Sequence, residues 1–145
     1  MPFSQATKYC IRAILHLAET GGDEPMMSRQ IAADLQVPEP FLAKILQQLS
    51  RRGLLRSFKG RGGGFVLARP ASQIFLGEVV EAVDGTNFGE ECILGLAACS
   101  AADPCHLHHQ WSRFKTEMLE VMRQQSIEEL MQKGLRNLPR PNPEP

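Results

Sequence analysis

A glycine-rich run near the middle of the chain constrains the fold more than any other feature. Residues 59–64 hold four glycines, together with Lys59 and Arg61, and separate two short apolar stretches at 54–58 and 65–68 that are typical of β-strands. A phosphate-binding nucleotide loop would continue through Gly-Lys-Ser/Thr into a helix, whereas a strand follows here. The run therefore predicts a β-hairpin with the two basic side chains at its tip.

Three segments with apolar residues at helical spacing precede this hairpin. Helices are predicted at 5–19, at 28–35 with Ser28 as N-cap, and at 39–52. Pro40 suits the first turn of the third helix, where a missing N–H costs nothing. Two short helices joined by a tight turn and followed by a hairpin form a winged helix-turn-helix. We therefore predict a mainly α fold with a small β-hairpin wing.

The charged residues are segregated along the chain although its formal net charge is zero. Residues 40–77 carry seven basic side chains and no acidic one, whereas residues 78–103 carry six acidic side chains and no Lys or Arg. Such a basic block is either a solvated face or a phosphate-binding surface, and its place on a winged helix-turn-helix favours double-stranded DNA. The predicted DNA-binding residues are Ser28, Pro40, Lys44, Gln47, Gln48, Arg51, Arg56, Lys59 and Arg61.

These residues are expected to play two roles on DNA. Lys44, Gln47 and Gln48 lie on the third helix and are the candidates for reading base edges. The arginines at 51 and 56 and the basic residues at 59 and 61 are expected mainly at phosphates, and the wing tip is also a candidate for the minor groove.

A long helix in the second half of the chain carries an apolar seam. A short amphipathic helix at 74–83 is stopped by Asp84-Gly85, and no sustained periodicity follows until the long helix at 105–123. The seam residues recur at alternating four- and three-residue steps and are Leu107, Trp111, Phe114, Met118 and Val121. This pattern is typical of a helical dimer interface, with packing into the monomer core as the alternative.

These segments divide the chain into four parts. We predict a winged helix-turn-helix domain at 1–84, a ligand-bearing loop at 85–104, dimerisation helices at 105–134 and a disordered tail at 135–145. Ser126 and Glu129 form a capping box for the last helix, which is expected to end at Gly134.

Three cysteines and three histidines lie within the eighteen residues 92–109. The chain begins without the basic and apolar regions of a secretory leader and has no apolar run of bilayer length, so we expect a cytoplasmic protein with no membrane partner. A reducing compartment favours metal ligation by clustered thiols over disulfides. The spacing of Cys92, Cys99 and Cys105 matches neither the C-x-x-C pairs of most structural zinc sites nor the common ferredoxin patterns. It therefore predicts a three-thiolate metal site without specifying the metal.

The fourth ligand of such a site has several candidates. His108 comes first because it lies one helical turn after Cys105 and would share a helix face with it. His109 is the second choice, and an acidic side chain or a residue of a partner subunit is a further alternative. A loop of unliganded thiols remains the alternative to any metal site.

Several motifs of this chain occur together in one family. They are Tyr9 in the first helix, Phe41-Leu42 and Ile45-Leu46 in the third, the wing at 59–65, the helix at 77–84, the three cysteines, and Cys105-x-x-His108-x-x-Trp111. Over about residues 1–135 the chain resembles the iron–sulfur-dependent winged-helix regulators of the IscR and NsrR type.

The resemblance implies a homodimer that places two winged helices on a pseudo-palindromic operator, with an iron–sulfur cluster in each subunit. Carried over by position, Cys92, Cys99 and Cys105 would be the thiolate ligands, and His108 would be the fourth ligand of a [2Fe–2S] cluster. The nitric-oxide-sensing branch takes an acidic ligand from the first helix, where Lys8 stands here. This difference favours [2Fe–2S] over [4Fe–4S].

Other departures from the family pattern limit what can be carried over. The first cysteine gap is six residues, where close relatives often have five, and this leaves the cluster type open. Pro40, Ala43 and Lys44 replace more polar or acidic residues in the third helix, so the operator sequence does not transfer.

Two other functions compete with a cluster-controlled regulator. One is a cluster-free regulator that responds to a small molecule, a partner protein or thiol oxidation. The other is an enzyme that uses Cys105 with His108 or His109, which would need a substrate pocket and an oxyanion site. The sequence shows neither of these, so we do not expect an enzyme.

Overall fold

The computed structural model describes residues 3–20, 22–85 and 90–133, and it confirms a mainly α chain with a single β-hairpin among those residues. The elements are α1 (Gln5–Thr20), α2 (Ser28–Leu35), α3 (Glu39–Arg51), β1 (Leu55–Phe58), β2 (Gly64–Leu67), a 3-10 turn (Ala71–Gln73), α4 (Leu76–Asp84), α5 (His108–Gln124) and α6 (Ile127–Gln132). The predicted end of the last helix at Gly134 and the predicted tail at 135–145 lie outside the described residues. None of the helices described has the length and hydrophobicity needed to cross a bilayer.

The helix-turn-helix is formed by α2 and α3, which a tight turn joins. Gln36 takes a left-handed conformation with φ of 57° at the end of α2, and the Val37 N–H donates to the Ala32 carbonyl at 3.0 Å. Pro40 lies in the first turn of α3, as predicted, and Gly53 follows the helix with φ of 78°. The turn therefore closes through backbone hydrogen bonds, and α2 ends where the sequence predicts.

The wing is a hairpin whose root is extended by a third backbone segment. β1 and β2 pair antiparallel from Leu55 opposite Leu67 to Phe58 opposite Gly64. Met26 adds a bridge to β2, because its N–H donates to the Phe65 carbonyl at 3.1 Å and its carbonyl accepts from the Phe65 N–H at 2.8 Å. The segment before α2 is thus tied to the wing, which fixes the wing relative to the helix-turn-helix.

One apolar core joins the helix-turn-helix to the elements around it. Its fully buried side chains include Ile14, Ile31, Leu42, Leu46, Leu49, Leu55, Ile74, Val79 and Ile127. They come from α1, α2, α3, β1, α4 and α6, and Ile74 lies just before α4. α6 therefore packs on the same core although α5, which precedes it, contributes no side chain to it. Burial of this apolar surface is the main favourable contribution to folding.

The end of α4 is bound to both α1 and α3. The Asp84 carboxylate accepts hydrogen bonds from the Ser4 hydroxyl at 2.6 Å and from the buried Thr7 hydroxyl at 2.7 Å. The Gln48 amide of α3 donates to the Ala82 carbonyl at 2.9 Å. Gly85 then ends α4 with φ of 83°, as the Asp84-Gly85 pattern predicts. The C-terminal end of α4 is therefore held in place beside α1 and α3.

Three predictions about individual residues are wrong. Ser28 is the first residue of α2 and not its N-cap, which is Met27. Gln48 is half-buried and directed at α4, so it is withdrawn from the base-reading set. The long helix begins at His108 and not at Cys105, because residues 105–107 form a turn. By contrast, the capping box of Ser126 and Glu129 is confirmed, with hydrogen bonds of 3.1 and 3.0 Å.

The wing root gives a prediction about stability. A Cβ on Gly64 would overlap the backbone of Met26, and the Gly64 φ of 138° disfavours any side chain. We expect Gly64→Ala to lower the free energy of unfolding by about 3 kcal/mol, measured by urea denaturation. The matched control is Gly62→Ala, which also has positive φ (72°) but has open space around it. It should cost only about 1 kcal/mol, and equal costs would contradict a steric role for Gly64.

Candidate metal centre and nucleic-acid interface

The three clustered cysteines converge in the structure. The sulfur atoms of Cys92, Cys99 and Cys105 all lie within 4.8 Å of one another, and those of Cys92 and Cys105 are 3.7 Å apart. All three side chains are half-buried. Thiolates separated by such distances would repel one another, so the cluster is suited to binding a cation between them.

Tight turns position each of these cysteines. The Cys92 carbonyl accepts from the Gly95 N–H at 2.8 Å, and the Cys99 N–H donates to the Leu96 carbonyl at 3.1 Å. The Cys105 carbonyl accepts from the His108 N–H at 3.1 Å. Gly95 has φ of 73°, a conformation that glycine adopts without strain. A loop without regular secondary structure thus presents three thiols to one point.

His108 lies beside the thiols, although not by the predicted geometry. Its Nδ1 is 3.3 Å from the sulfur of Cys99, while Cys105 precedes the helix and shares no helix face with it. The second-choice ligand, His109, is exposed and packs edge-on against the His108 ring at 5.5 Å. His108 is therefore the histidine with a thiol contact among the described residues.

The local environment shifts the pKa values of two of these thiols in opposite directions. Hydrogen bonds from the backbone N–H groups of Leu96 and Leu94 lower the pKa of Cys92 to about 7, with help from the neighbouring thiols and against partial burial. The Cys105 N–H lowers the pKa of Cys99, but partial burial and the adjacent thiols outweigh it and raise that pKa overall. Cys92 is thus the readiest of the two to act as a thiolate.

Cys10 belongs to the core and not to this centre. It is fully buried on α1. Burial and the nearby charge of Asp84 raise the pKa of its thiol to about 12. It therefore stays protonated and unreactive at neutral pH.

The predicted dimer seam remains largely uncovered on α5. Leu107, Phe114 and Val121 are 43%, 45% and 55% exposed, and Trp111 and Met118 are half-buried. The one buried residue of α5 is Met122, which lies outside the seam. The alternative that the seam packs into the monomer core is therefore wrong for these three exposed residues.

The predicted DNA surface is exposed along α3 and the wing. Pro40, Lys44, Gln47 and Arg51 are exposed on α3, and Arg56, Lys59 and Arg61 are exposed on the wing. Ser28 donates its hydroxyl to the carboxylate of Glu39 at 3.1 Å, at the start of the helix-turn-helix. Sequence reasoning missed this acidic neighbour because Glu39 lies eleven residues from Ser28, and the contact depends on how α2 and α3 pack.

Sequence reasoning also missed a link between α5 and the cysteine loop, which comprises the described residues 90–107 before this helix. The indole N–H of Trp111 donates to the Glu91 carbonyl at 2.9 Å, directly before Cys92. The spacing of Trp111 three residues after His108 was a visible signal, but the seam pattern assigned the side chain to a dimer contact instead.

Comparison with known proteins decides the family. The sequence matches the Rrf2 family, described as iron-dependent transcriptional regulators, over residues 3–133. This chain belongs to the Rrf2 family. An HTH-type transcriptional regulator of Aquifex aeolicus (strain VF5) is 33% identical over 133 residues, which cover 90% of this chain and 92% of that protein. The regulator IscR of Xenorhabdus nematophila is 28% identical over 131 residues, covering 90% of this chain and 79% of IscR.

Solved structures share the Rrf2 fold. CymR, the global cysteine regulator of B. subtilis, superposes with a TM-score of 0.75 at 22% identity, covering 92% of this chain and 98% of CymR. The IscR of T. potens superposes with a TM-score of 0.73 at 21% identity, covering 96% and 93% of the two chains. Both confirm the winged-helix architecture. The protein is therefore a transcriptional regulator of the Rrf2 family.

The opposite pKa shifts of the thiols predict different alkylation profiles in the reduced, metal-free protein. Cys92 should react with iodoacetamide at half its maximal rate near pH 7, because its lowered pKa of about 7 produces thiolate there. Cys99, whose pKa is raised, should still be gaining rate at pH 9. Mass spectrometry of each cysteine measures both rates, and buried Cys10 is the unreactive control. Identical pH profiles of alkylation for Cys92 and Cys99 would contradict the opposite pKa shifts assigned to them.

Proposed function

We propose that this Rrf2 regulator binds operator DNA with an affinity controlled by an iron–sulfur cluster at Cys92, Cys99, Cys105 and His108. The observation that carries the proposal is the convergence of three thiols and one imidazole, from residues spread over seventeen positions, at one point of the loop. The signal would be redox state, nitric oxide or iron–sulfur status. The protein would act in the cytoplasm, where the reducing environment keeps such thiols available.

The contacts among the four side chains favour a [2Fe–2S] cluster over [4Fe–4S]. Cys92 and Cys105 form one pair at 3.7 Å, and Cys99 and His108 form a second at 3.3 Å. A [2Fe–2S] cluster takes four protein ligands, two on each iron, and histidine can replace cysteine as a ligand. The Cys105 N–H also points at the Cys99 sulfur at 3.5 Å, a hydrogen bond of the kind that tunes such clusters. Bound there, the cluster would supply redox-active, thiolate-ligated iron.

The sulfur spacing also favours a second candidate, a single tetrahedral ion. Metal–sulfur bonds of about 2.3 Å place tetrahedral thiolates roughly 3.8 Å apart, close to the 3.7 Å between Cys92 and Cys105. In a cluster, by contrast, thiols that ligate different irons must lie further apart than this.

The cysteine loop permits the larger separation that a cluster needs, because the residues between the three cysteines are exposed and lie outside the core.

The DNA-binding surface follows from the exposed residues of α3 and the wing. We propose that Lys44 and Gln47 read base edges, with Pro40 beside them, and that Ser28 and the basic residues Arg51, Arg56, Lys59 and Arg61 contact phosphates. Two such surfaces would meet a pseudo-palindromic operator if the chain forms a homodimer. The exposed seam of α5 supports this, because three of its five residues are uncovered apolar side chains.

The fold offers a physical link between the two sites. The cysteine loop follows α4 in the sequence. A hydrogen bond to Asp84 joins the end of α4 to α1, and a hydrogen bond from Gln48 joins it to the recognition helix α3. Its other end leads into α5 through the turn from Cys105 to His108. Ligation of the thiols would fix the loop between these two points and so set the position of α5 relative to α3. If ligation of the thiols changes the affinity for DNA by some factor, DNA binding must change the affinity of the thiol site for its ligand by the same factor. The coupling free energy between two such sites is typically about 1–3 kcal/mol.

The metal content of protein purified without air tests the cluster. We expect visible absorption and about two iron and two sulfide per subunit, because that is the composition of a [2Fe–2S] cluster. Cys99→Ala should lose the bands. His108→Ala should shift them, whereas the matched change His106→Ala, at an exposed neighbouring histidine, should leave them unchanged.

Other results would point to the alternatives. About four iron and four sulfide would replace [2Fe–2S] by [4Fe–4S]. One zinc without sulfide would favour the single tetrahedral ion. A colourless protein that takes up no metal would exclude both and leave a regulator that responds to a small molecule, a partner protein or thiol oxidation.

Salt dependence of DNA binding tests the wing. Lys59→Ala should lower the log–log slope of affinity against salt by about one unit per wing, since each phosphate contact releases about one counterion. Fluorescence anisotropy on a duplex of mixed sequence measures it, because phosphate contacts carry no base preference. The control Lys133→Ala removes the same charge at the end of α6, and it should not change the slope. An unchanged slope for Lys59→Ala would remove the wing from the interface.

A further inference from the structure

Trp111 makes a contact that a dimer seam does not explain. Its indole N–H donates to the Glu91 carbonyl at 2.9 Å, across twenty residues of sequence. Glu91 directly precedes Cys92, so the bond holds the N-terminal side of the cysteine loop against α5. The opposite side of the loop is already joined to α5 through the turn from Cys105 to His108. The loop is thus attached to the same helix at both ends.

The indole is held in place by its own helix. The Phe114 ring stacks on it with centroids 5.6 Å apart and planes 20° from parallel. The Lys115 ammonium lies 6.0 Å from the ring centroid, at the limit of a cation–π contact. Both partners lie within one turn of Trp111, so the N–H direction is fixed before the loop docks. A preorganised donor loses little side-chain entropy when it binds its acceptor.

The loop has few other interactions that would position Cys92. Ile93, Leu94 and Leu96 are 52%, 54% and 50% exposed, so apolar burial does not hold this segment in place. The turn from Cys92 to Gly95 orders the chain locally but connects it to nothing outside the loop. Among the bonds that the described residues show, the indole N–H is what joins the start of this loop to a helix.

We propose that Trp111 is a positioning residue for the thiolate site: its indole N–H fixes Glu91 and thereby holds Cys92 next to Cys105. This proposal rests on the proposed metal site and adds the element that assembles it. Groups that orient ligands without touching the metal typically change metal affinity by 10–100-fold when they are removed. Trp111 would act in this way through the backbone carbonyl of Glu91, the residue before Cys92.

Cobalt binding to the metal-free protein tests the proposal. Co²⁺ is a soft enough ion for a thiolate site, and its sulfur-to-metal absorption counts the thiolates bound. We expect Trp111→Phe, which keeps an aromatic ring but lacks the N–H, to raise the dissociation constant about tenfold. Absorption at saturation should stay at the wild-type level, because all three thiolates remain. Cys92→Ser should instead lose about a third of it, since one of the three thiolates is removed.

Thr116→Val is the matched control. Thr116 also donates a side-chain hydrogen bond to a carbonyl, that of Ser112 at 2.9 Å, on the same helix but not to the loop. Its cobalt affinity should equal that of the wild type.

A measurement on the wild-type protein makes the test independent of any variant. The chain has one tryptophan, so its indole N–H gives a single NMR resonance. Zn²⁺ should slow the solvent exchange of this proton about tenfold, because coupling between the bond and the metal site is reciprocal. Metal uptake without a change at Trp111, in exchange or in the Phe variant, would overturn the positioning role alone. Absence of any metal uptake by the wild type would overturn the metal site and the positioning role together.

Discussion

The hydrogen bonds of Asp84 hold the end of α4 against the start of α1. Its carboxylate accepts from the Ser4 and Thr7 hydroxyls at the first turn of α1, where the helix dipole also favours a negative charge. Thr7 is fully buried, so its hydroxyl needs this acceptor. Two residues earlier, the Ala82 carbonyl accepts from Gln48 of α3. The end of α4 is therefore held by both α1 and α3.

Two kinds of order meet in this chain. The winged helix-turn-helix is held by a continuous apolar core, whereas the cysteine loop has exposed apolar residues and three short turns. A segment that buries so little has a low cost of opening, and this is the property expected of an element that responds to a ligand. A helix-turn-helix with a continuous core is thus joined to a loop that buries little, and the proposed ligands and the Trp111 contact would supply the order that burial does not.

Local patterns predicted well where one side chain or one spacing decides the structure. The glycine-rich run, the proline at the start of α3 and the Asp84-Gly85 stop each act through backbone conformation, and the structure bears out all three. The prediction that Gln48 reads bases was not confirmed, because its side chain donates to Ala82 of α4, thirty-four residues away in the sequence. The predicted start of α5 at Cys105 was wrong, because Cys105 forms a turn with His108. Helical periodicity does not reveal this turn.

The sequence by itself determined the fold class and the set of candidate ligands, because periodicity, turn residues and clustered thiols are local properties. Only the tertiary structure decided that the three sulfurs lie within 4.8 Å of one another, that His108 approaches Cys99, and that Trp111 contacts the loop. Each of these contacts involves the loop before α5, which has no periodicity, so its geometry cannot be derived from helical spacing. The Asp84-Gly85 pattern locates the end of α4, but the hydrogen bonds that hold this end in place come from Ser4, Thr7 and Gln48, which are distant in the sequence.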